Sequence, residues 1–177
     1  MILVIHAHPY PRRSHAGAAI LREIGGVPGL EVRSLYDLYP DFDIDAVAEQ
    51  EALRRAGLVV WMHPIYWYSV PGLLKLWFDK VLVSGFAFGE GGDALAGKQC
   101  LWVPTTGGKD EDYRAGGRHD HPFRAFVPVV EMTARYCGMQ WLEPLVVHDA
   151  EGGNEAALAA RGRQLRERLA AYAGTPA

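Results

Sequence analysis

Apolar and polar positions fall into blocks that alternate between two periods. Residues 2–6 are a short, nearly unbroken apolar run, as a strand buried on both faces requires. Residues 15–24 fit a helix, with Ser14 as N-cap and Gly25-Gly26 as stop. Residues 31–35 alternate Val32 and Leu35 with charge and read as a second strand, and 46–55 is an Ala- and Glu-rich helix ending before Gly57. Residues 58–62 form a third strand. Pro71 then opens a helix that runs to Leu82, proline being harmless in a first turn because that N–H is unpaired anyway. A fourth strand over 99–104, a helix over 124–137, a fifth strand over 140–147 and a helix over 154–172 complete the pattern. On the last helix Leu158, Leu165, Leu169 and Tyr172 share one face, and Arg161, Arg163, Arg166 and Arg168 lie mainly on a solvated one. Strands separated by helices predict an α/β fold: a parallel sheet with helices on both faces, in one domain over residues 1–177.

Composition narrows the partners. A hydrophobic share of 49% and a charged share of 22% are those of an ordinary globular chain. The net charge of −3 and the lack of a basic stripe argue against nucleic acid. Cys100 and Cys137 are the only cysteines and form no CxxC pair, so no metal site is expected and both read as buried, reduced thiols. The opening apolar run is too short for a signal sequence and no stretch nears the length of a membrane span, so the expected location is cytoplasmic.

Ligands of open α/β sheets sit outside the carboxyl ends of the strands. Three loops there are unusual. After the first strand, His8, Pro9, Pro11, Arg12, Arg13, Ser14, His15, Ala16 and Gly17 lead into a helix N-terminus, which favours an anion; the plain alternative is a proline-rich turn with a routine cap. After the third, Ile65-Tyr66-Trp67-Tyr68 lies between prolines, its aromatics suited to a planar ring or to plugging the core end, with His63 a satisfied strand-end histidine. After the fourth, Thr105-Thr106-Gly107-Gly108 bares backbone N–H groups, and the polar stretch that follows carries Tyr113 and His119.

Taken together, these segments resemble a known family. Ala7-His8-Pro9-Tyr10-Pro11, Ser14-His15-Ala16, Arg33-Ser34-Leu35-Tyr36, Leu38-Tyr39-Pro40-Asp41-Phe42, Glu49-Gln50-Glu51-Ala52-Leu53, Leu73-Leu74-Lys75-Leu76-Trp77 and Tyr136-Cys137-Gly138 followed by Trp141-Leu142 are similar to the flavodoxin-like NAD(P)H:quinone oxidoreductases. Within that family the similarity is to the ancillary proteins of glutathione-regulated potassium-efflux systems.

The resemblance implies a flavodoxin-like three-layer sandwich with strand order 2-1-3-4-5. It implies FMN, with FAD as second choice, NAD(P)H as co-substrate, a quinone-type acceptor, a homodimer and a potassium-efflux channel as partner. It places His8 and Ser14, His15, Ala16 and Gly17 at the phosphate and ribityl end. Ile65, Tyr66, Trp67 and Tyr68 would line the isoalloxazine, and Thr105, Thr106, Gly107 and Gly108 would bond its pyrimidine edge. Tyr113 and His119 resemble the pair that handles charge and proton as hydride passes through flavin N5. Two positions depart from the family: Gly17 stands where Asn is frequent and Tyr66 where Gln is usual. Rival readings are a one-electron flavodoxin carrier, which the arginines in these loops disfavour, a channel regulator with incidental redox activity, and an azo- or nitro-compound reductase. The apolar arc Leu73, Leu74, Trp77, Phe78, Val81 and Leu82 faces the sheet in part and offers the rest to a dimer interface.

Overall fold

The short apolar runs pair side by side because their backbone groups must bond one another once both faces are covered. In the computed structural model, which describes residues 1–174, five parallel strands stand in the order β2-β1-β3-β4-β5. They are β1 (Ile2–His6), β2 (Leu30–Ser34), β3 (Leu58–Pro64), β4 (Gln99–Thr105) and β5 (Gln140–Trp141). The helices are α1 (His15–Ile24), α2 (Leu35–Leu38), α3 (Ala46–Arg55), α4 (Gly72–Val81), α5 (Val127–Tyr136) and α6 (Glu155–Ala173).

Alternate strand residues feed two separate cores. Leu3, Ile5, Val59, Trp61, Cys100 and Trp102 join the apolar residues of α3, α4 and α5. Ile2, Val4, Leu58, Val60, Met62, Leu101 and Val103 join those of α1 and α6. This is the flavodoxin-like three-layer sandwich. Both cysteines are free and buried. No helix among the described residues is long and apolar enough to cross a membrane.

The structure corrects several expected boundaries. The regular fifth strand is two residues long, not 140–147. Leu142, Leu145 and Val147 still donate to the carbonyls of Cys100, Trp102 and Pro104, all at 2.9 Å. Three residues therefore oppose two between 142 and 145, a bulge at Glu143-Pro144, where proline supplies no N–H. Leu35 leaves the second strand to start α2, a single turn too short to show a period. A 3₁₀ turn at Phe123–Phe126 precedes α5, and Pro71 caps α4 rather than opening it. Leu73, Leu74, Trp77 and Val81 are fully buried in their own core, so α4 spends most of its apolar arc inside the molecule.

His6 and His63 end β1 and β3 and are buried. Burial lowers each pKa to about 4. Trp102 Nε1 donates to His63 Nε2 at 2.7 Å, and His63 Nδ1 lies 2.9 Å from the Pro64 carbonyl. The ring is thus neutral with its proton on Nδ1. In the unfolded chain each imidazole titrates near 6.5, so neutral burial stabilises the fold above that pH and the contribution fades as pH falls toward 4. Folding stability measured by denaturant is expected to drop by roughly 3 kcal/mol per histidine across that window. Constant stability from pH 7 to pH 4 would contradict this.

Candidate functional site

The carboxyl ends of β1, β3 and β4 bring the three loops to one edge of the sheet. His8, Tyr10, Arg13, Ser14, His15, Ala16, Pro64, Ile65, Tyr66, Thr105, Thr106 and Gly107 line one cleft of about 190 Å³, joined by Ala150 and Glu151. A wider groove of about 700 Å³ lies between residues 143–149 and α6, but its arginines 161 and 168 already bond Gln164 and the Glu143 carbonyl.

At the first loop, Ser14 Oγ accepts from Gly17 N at 3.2 Å and caps α1. A Cβ on residue 17 would overlap that hydroxyl, so this cap and a side chain at 17 compete for one space. The His15 and Ala16 N–H groups donate to nothing among the described residues. They point out of a helix N-terminus where the dipole favours an anion. His8 Nδ1 accepts from Tyr10 N at 3.0 Å, which leaves the proton on Nε2. Burial lowers the His8 pKa, with Glu151 acting the other way.

At the second loop, Tyr66 and Ser69 exchange two main-chain bonds of 3.1 Å around a tight turn. Its central residues, Trp67 (φ 49°) and Tyr68 (φ 61°), are left-handed, an uncommon and strained state for bulky residues in a type I′-like turn. Ile65 N donates to the Thr105 carbonyl and Tyr66 N to Ser69, so the free amides here are those of Trp67 and Tyr68. The Trp67 side chain is 92% exposed.

At the third loop, the Gly107 and Gly108 N–H groups are likewise unbonded among the described residues. A Cβ on Gly108 would stand 2.8 Å from His119 Nε2, 3.1 Å from Tyr113 Cε2 and 3.4 Å from the Tyr113 hydroxyl. Tyr113 and His119 stack with centroids 4.3 Å apart. The Tyr68 hydroxyl lies 3.4 Å from His119 Nδ1, which links the second and third loops. His119 Nε2 is buried and has no partner among the described residues.

Sequence reasoning brought these loops together and missed the strap after β5. Thr106 N donates to the Val147 carbonyl, Ala150 N to that of Thr106 and Asp149 N to that of Gly108. The available signal was position: the strap also leaves a strand at its carboxyl end.

Among the described residues, the unbonded main-chain donors at the three loops and the orphaned His119 Nε2 fit a flat, polar-edged, anionic cofactor such as FMN. A family model described as the flavodoxin-like fold matches residues 1–169. The chain is 51% identical over 173 residues to the glutathione-regulated potassium-efflux system ancillary protein KefF of Salmonella typhi, covering 97% of each. General stress protein 14 of Treponema denticola, solved in complex with FMN, superposes with a TM-score of 0.89 at 32% identity, over 96% of this chain and 98% of that one. An NADPH-quinone reductase of P. pentosaceus superposes with a TM-score of 0.84 at 27% identity, over 100% and 99%. By fold, strand order and sequence alike, the chain belongs to the flavodoxin-like family.

Proposed function

We propose that the chain is an FMN-dependent NAD(P)H:quinone oxidoreductase working in two half-reactions at one face of the site. The observation that carries this is the set of free N–H groups on three loops at one edge of the sheet: those of His15, Ala16 and Gly107 belong to residues lining the cleft, and those of Trp67, Tyr68 and Gly108 lie on the same loops outside its lining. The similar NADPH-quinone reductase and the similar protein solved in complex with FMN support it. When bound, FMN supplies the two-electron chemistry at N5.

The chain's own groups supply the rest. The α1 N-terminus with His15, Ala16 and His8 would hold the phosphate end. Ile65 and the Tyr66–Tyr68 turn would flank the ring, and Thr105 to Gly108 would meet its pyrimidine edge. Donors fixed before reaction stabilise developing negative charge without reorganising, and Gly107 N and Gly108 N are such donors. Tyr113 Oη and His119 Nε2, both beside Gly108, would hold or move a proton at that edge. Tyr113→Phe and His119→Gln are expected to slow single-turnover flavin reduction about tenfold or more while changing FMN affinity little. Wild-type rates in both variants would remove these residues from the mechanism.

The homodimer is proposed on α5. There Val129, Met132 and Tyr136 are 71%, 68% and 72% exposed and share one face, with the exposed Tyr68 beside Val129. Light scattering is expected to give a dimer for the wild type and a monomer for Met132→Glu; a wild-type monomer would contradict this. The name of the 51% identical relative, an ancillary protein of a potassium-efflux system, supports a second role as partner of such a system. The two roles are compatible in one chain.

A further inference from the structure

His148 lies on the strap behind the Thr-Thr-Gly-Gly turn, with 16% of its side chain exposed. Nδ1 is 3.3 Å from Thr106 Oγ1, and Nε2 is 3.3 Å from Asp110 Oδ1. The ring packs 5.3 Å from Tyr113 and 5.5 Å from Phe123, centroid to centroid. The Thr106 hydroxyl donates its one proton to the Gly108 carbonyl at 2.7 Å. A hydroxyl so committed can bond Nδ1 only as an acceptor, so Nδ1 carries the proton and Nε2 faces Asp110. Burial lowers the pKa of the ring, Asp110 and a bond to the Gly108 main chain oppose that, and Arg161 on α6 adds to it; the Nδ1 proton is present in either charge state.

The strap's main-chain bonds fix the two ends of the turn, at Thr106 and at the Gly108 carbonyl. Its inner corner, where the Thr106 hydroxyl meets that carbonyl, is closed from behind by the His148 side chain. The same ring backs Tyr113.

We infer that His148 is a positioning residue: through Thr106 Oγ1, its Nδ1–H holds the Gly107-Gly108 turn with both free N–H groups in place. This rests on the reading of that turn as the pyrimidine edge of a flavin site. Losing the donor leaves the turn free to rotate its peptides away from the ligand, at a cost in binding and little cost in folding.

The test is FMN affinity by fluorescence quenching, with the melting temperature of the FMN-free protein as control. His148→Phe fills the space without a donor, His148→Asn returns a donor at the Nδ1 position, and Thr106→Val removes the acceptor. His148→Phe and Thr106→Val are each expected to weaken FMN binding about tenfold, and His148→Asn to recover it to within about threefold of wild type. His148→Leu, which also lacks a donor, carries the test if His148→Phe fails to fold. The inference is overturned if Thr106→Val or a folded His148→Phe binds FMN as the wild type does, or if His148→Asn is as weak as His148→Phe. A wild-type protein that binds no FMN defeats the flavin reading and this inference with it.

Discussion

Replacing Glu49 with alanine is expected to destabilise the fold by about 3–5 kcal/mol, because it strands the buried Tyr39 and Trp77 donors and the half-buried Arg33 guanidinium at once. Glu49 is completely buried on α3. Its Oε1 accepts from Arg33 Nε at 2.8 Å and from the Tyr39 hydroxyl at 2.6 Å, and lies 2.6 Å from Arg33 Nη2. Its Oε2 accepts from Trp77 Nε1 at 2.9 Å. The carboxylate holds the Arg33 guanidinium above its ordinary pKa although burial works the other way. Burial, helped by Glu49, pushes the Tyr39 phenol up to about 12. Such a network adds little over well-packed apolar residues, yet removing Glu49 leaves Arg33 only the longer 3.5 Å contact with Glu31 and leaves two buried donors unpaired. At a few degrees per kcal/mol for a chain of this size, the melting temperature of Glu49→Ala should fall by about 10 °C. Glu49→Gln keeps the volume and should fall less. A melting temperature for Glu49→Ala equal to wild type would show that the network is not held as described.

Gly108→Ala is expected to weaken FMN binding by roughly 10- to 100-fold, since forcing an atom into a filled space costs about 1–3 kcal/mol. The added methyl would press on His119 Nε2 and Tyr113 Cε2, neither of which is a loose chain end: the rings stack on each other. Either the rings part or the turn withdraws, and both disturb the edge that carries the free N–H groups. Gly108 itself belongs to neither core and Tyr113 sits at the margin of one, so folding stability should move less than affinity. Isothermal titration with FMN, beside a thermal melt, separates the two. Unchanged affinity would place the ligand elsewhere.

The fold was legible wherever one residue type answered one physical demand. Runs such as Leu58-Val59-Val60-Trp61 serve two cores at once and can only be central strands. The fifth strand was less so, because Pro144 breaks the ladder while the chain stays alongside β4. The segments that carried the family resemblance turn out to serve two ends. Arg33, Tyr39, Glu49 and Trp77, far apart in the chain, meet in the buried network and hold α3 and α4 to β2. The segments around His8 and Ser14 instead line the cleft.

At the site, glycine, proline and aromatic content marked three loops. The fourth escaped because Ala150 and Glu151 are unremarkable types and the contact of His148 with Thr106 spans the gap between two strands. The left-handed backbone at Trp67 and Tyr68 was equally hidden, since bulky residues seldom adopt it and nothing in their order announces it.

The central claim is a flavin seated across the three loops and reduced there by NAD(P)H. One absorbance spectrum of the purified protein loaded with FMN, taken before and after anaerobic addition of NADH and of NADPH, tests it most directly. The account predicts flavin bands that stay with the protein through desalting, bleach with at least one of the two nucleotides, and return when a quinone is added. A protein that releases all added FMN on desalting, or holds flavin that neither nucleotide bleaches, would contradict it.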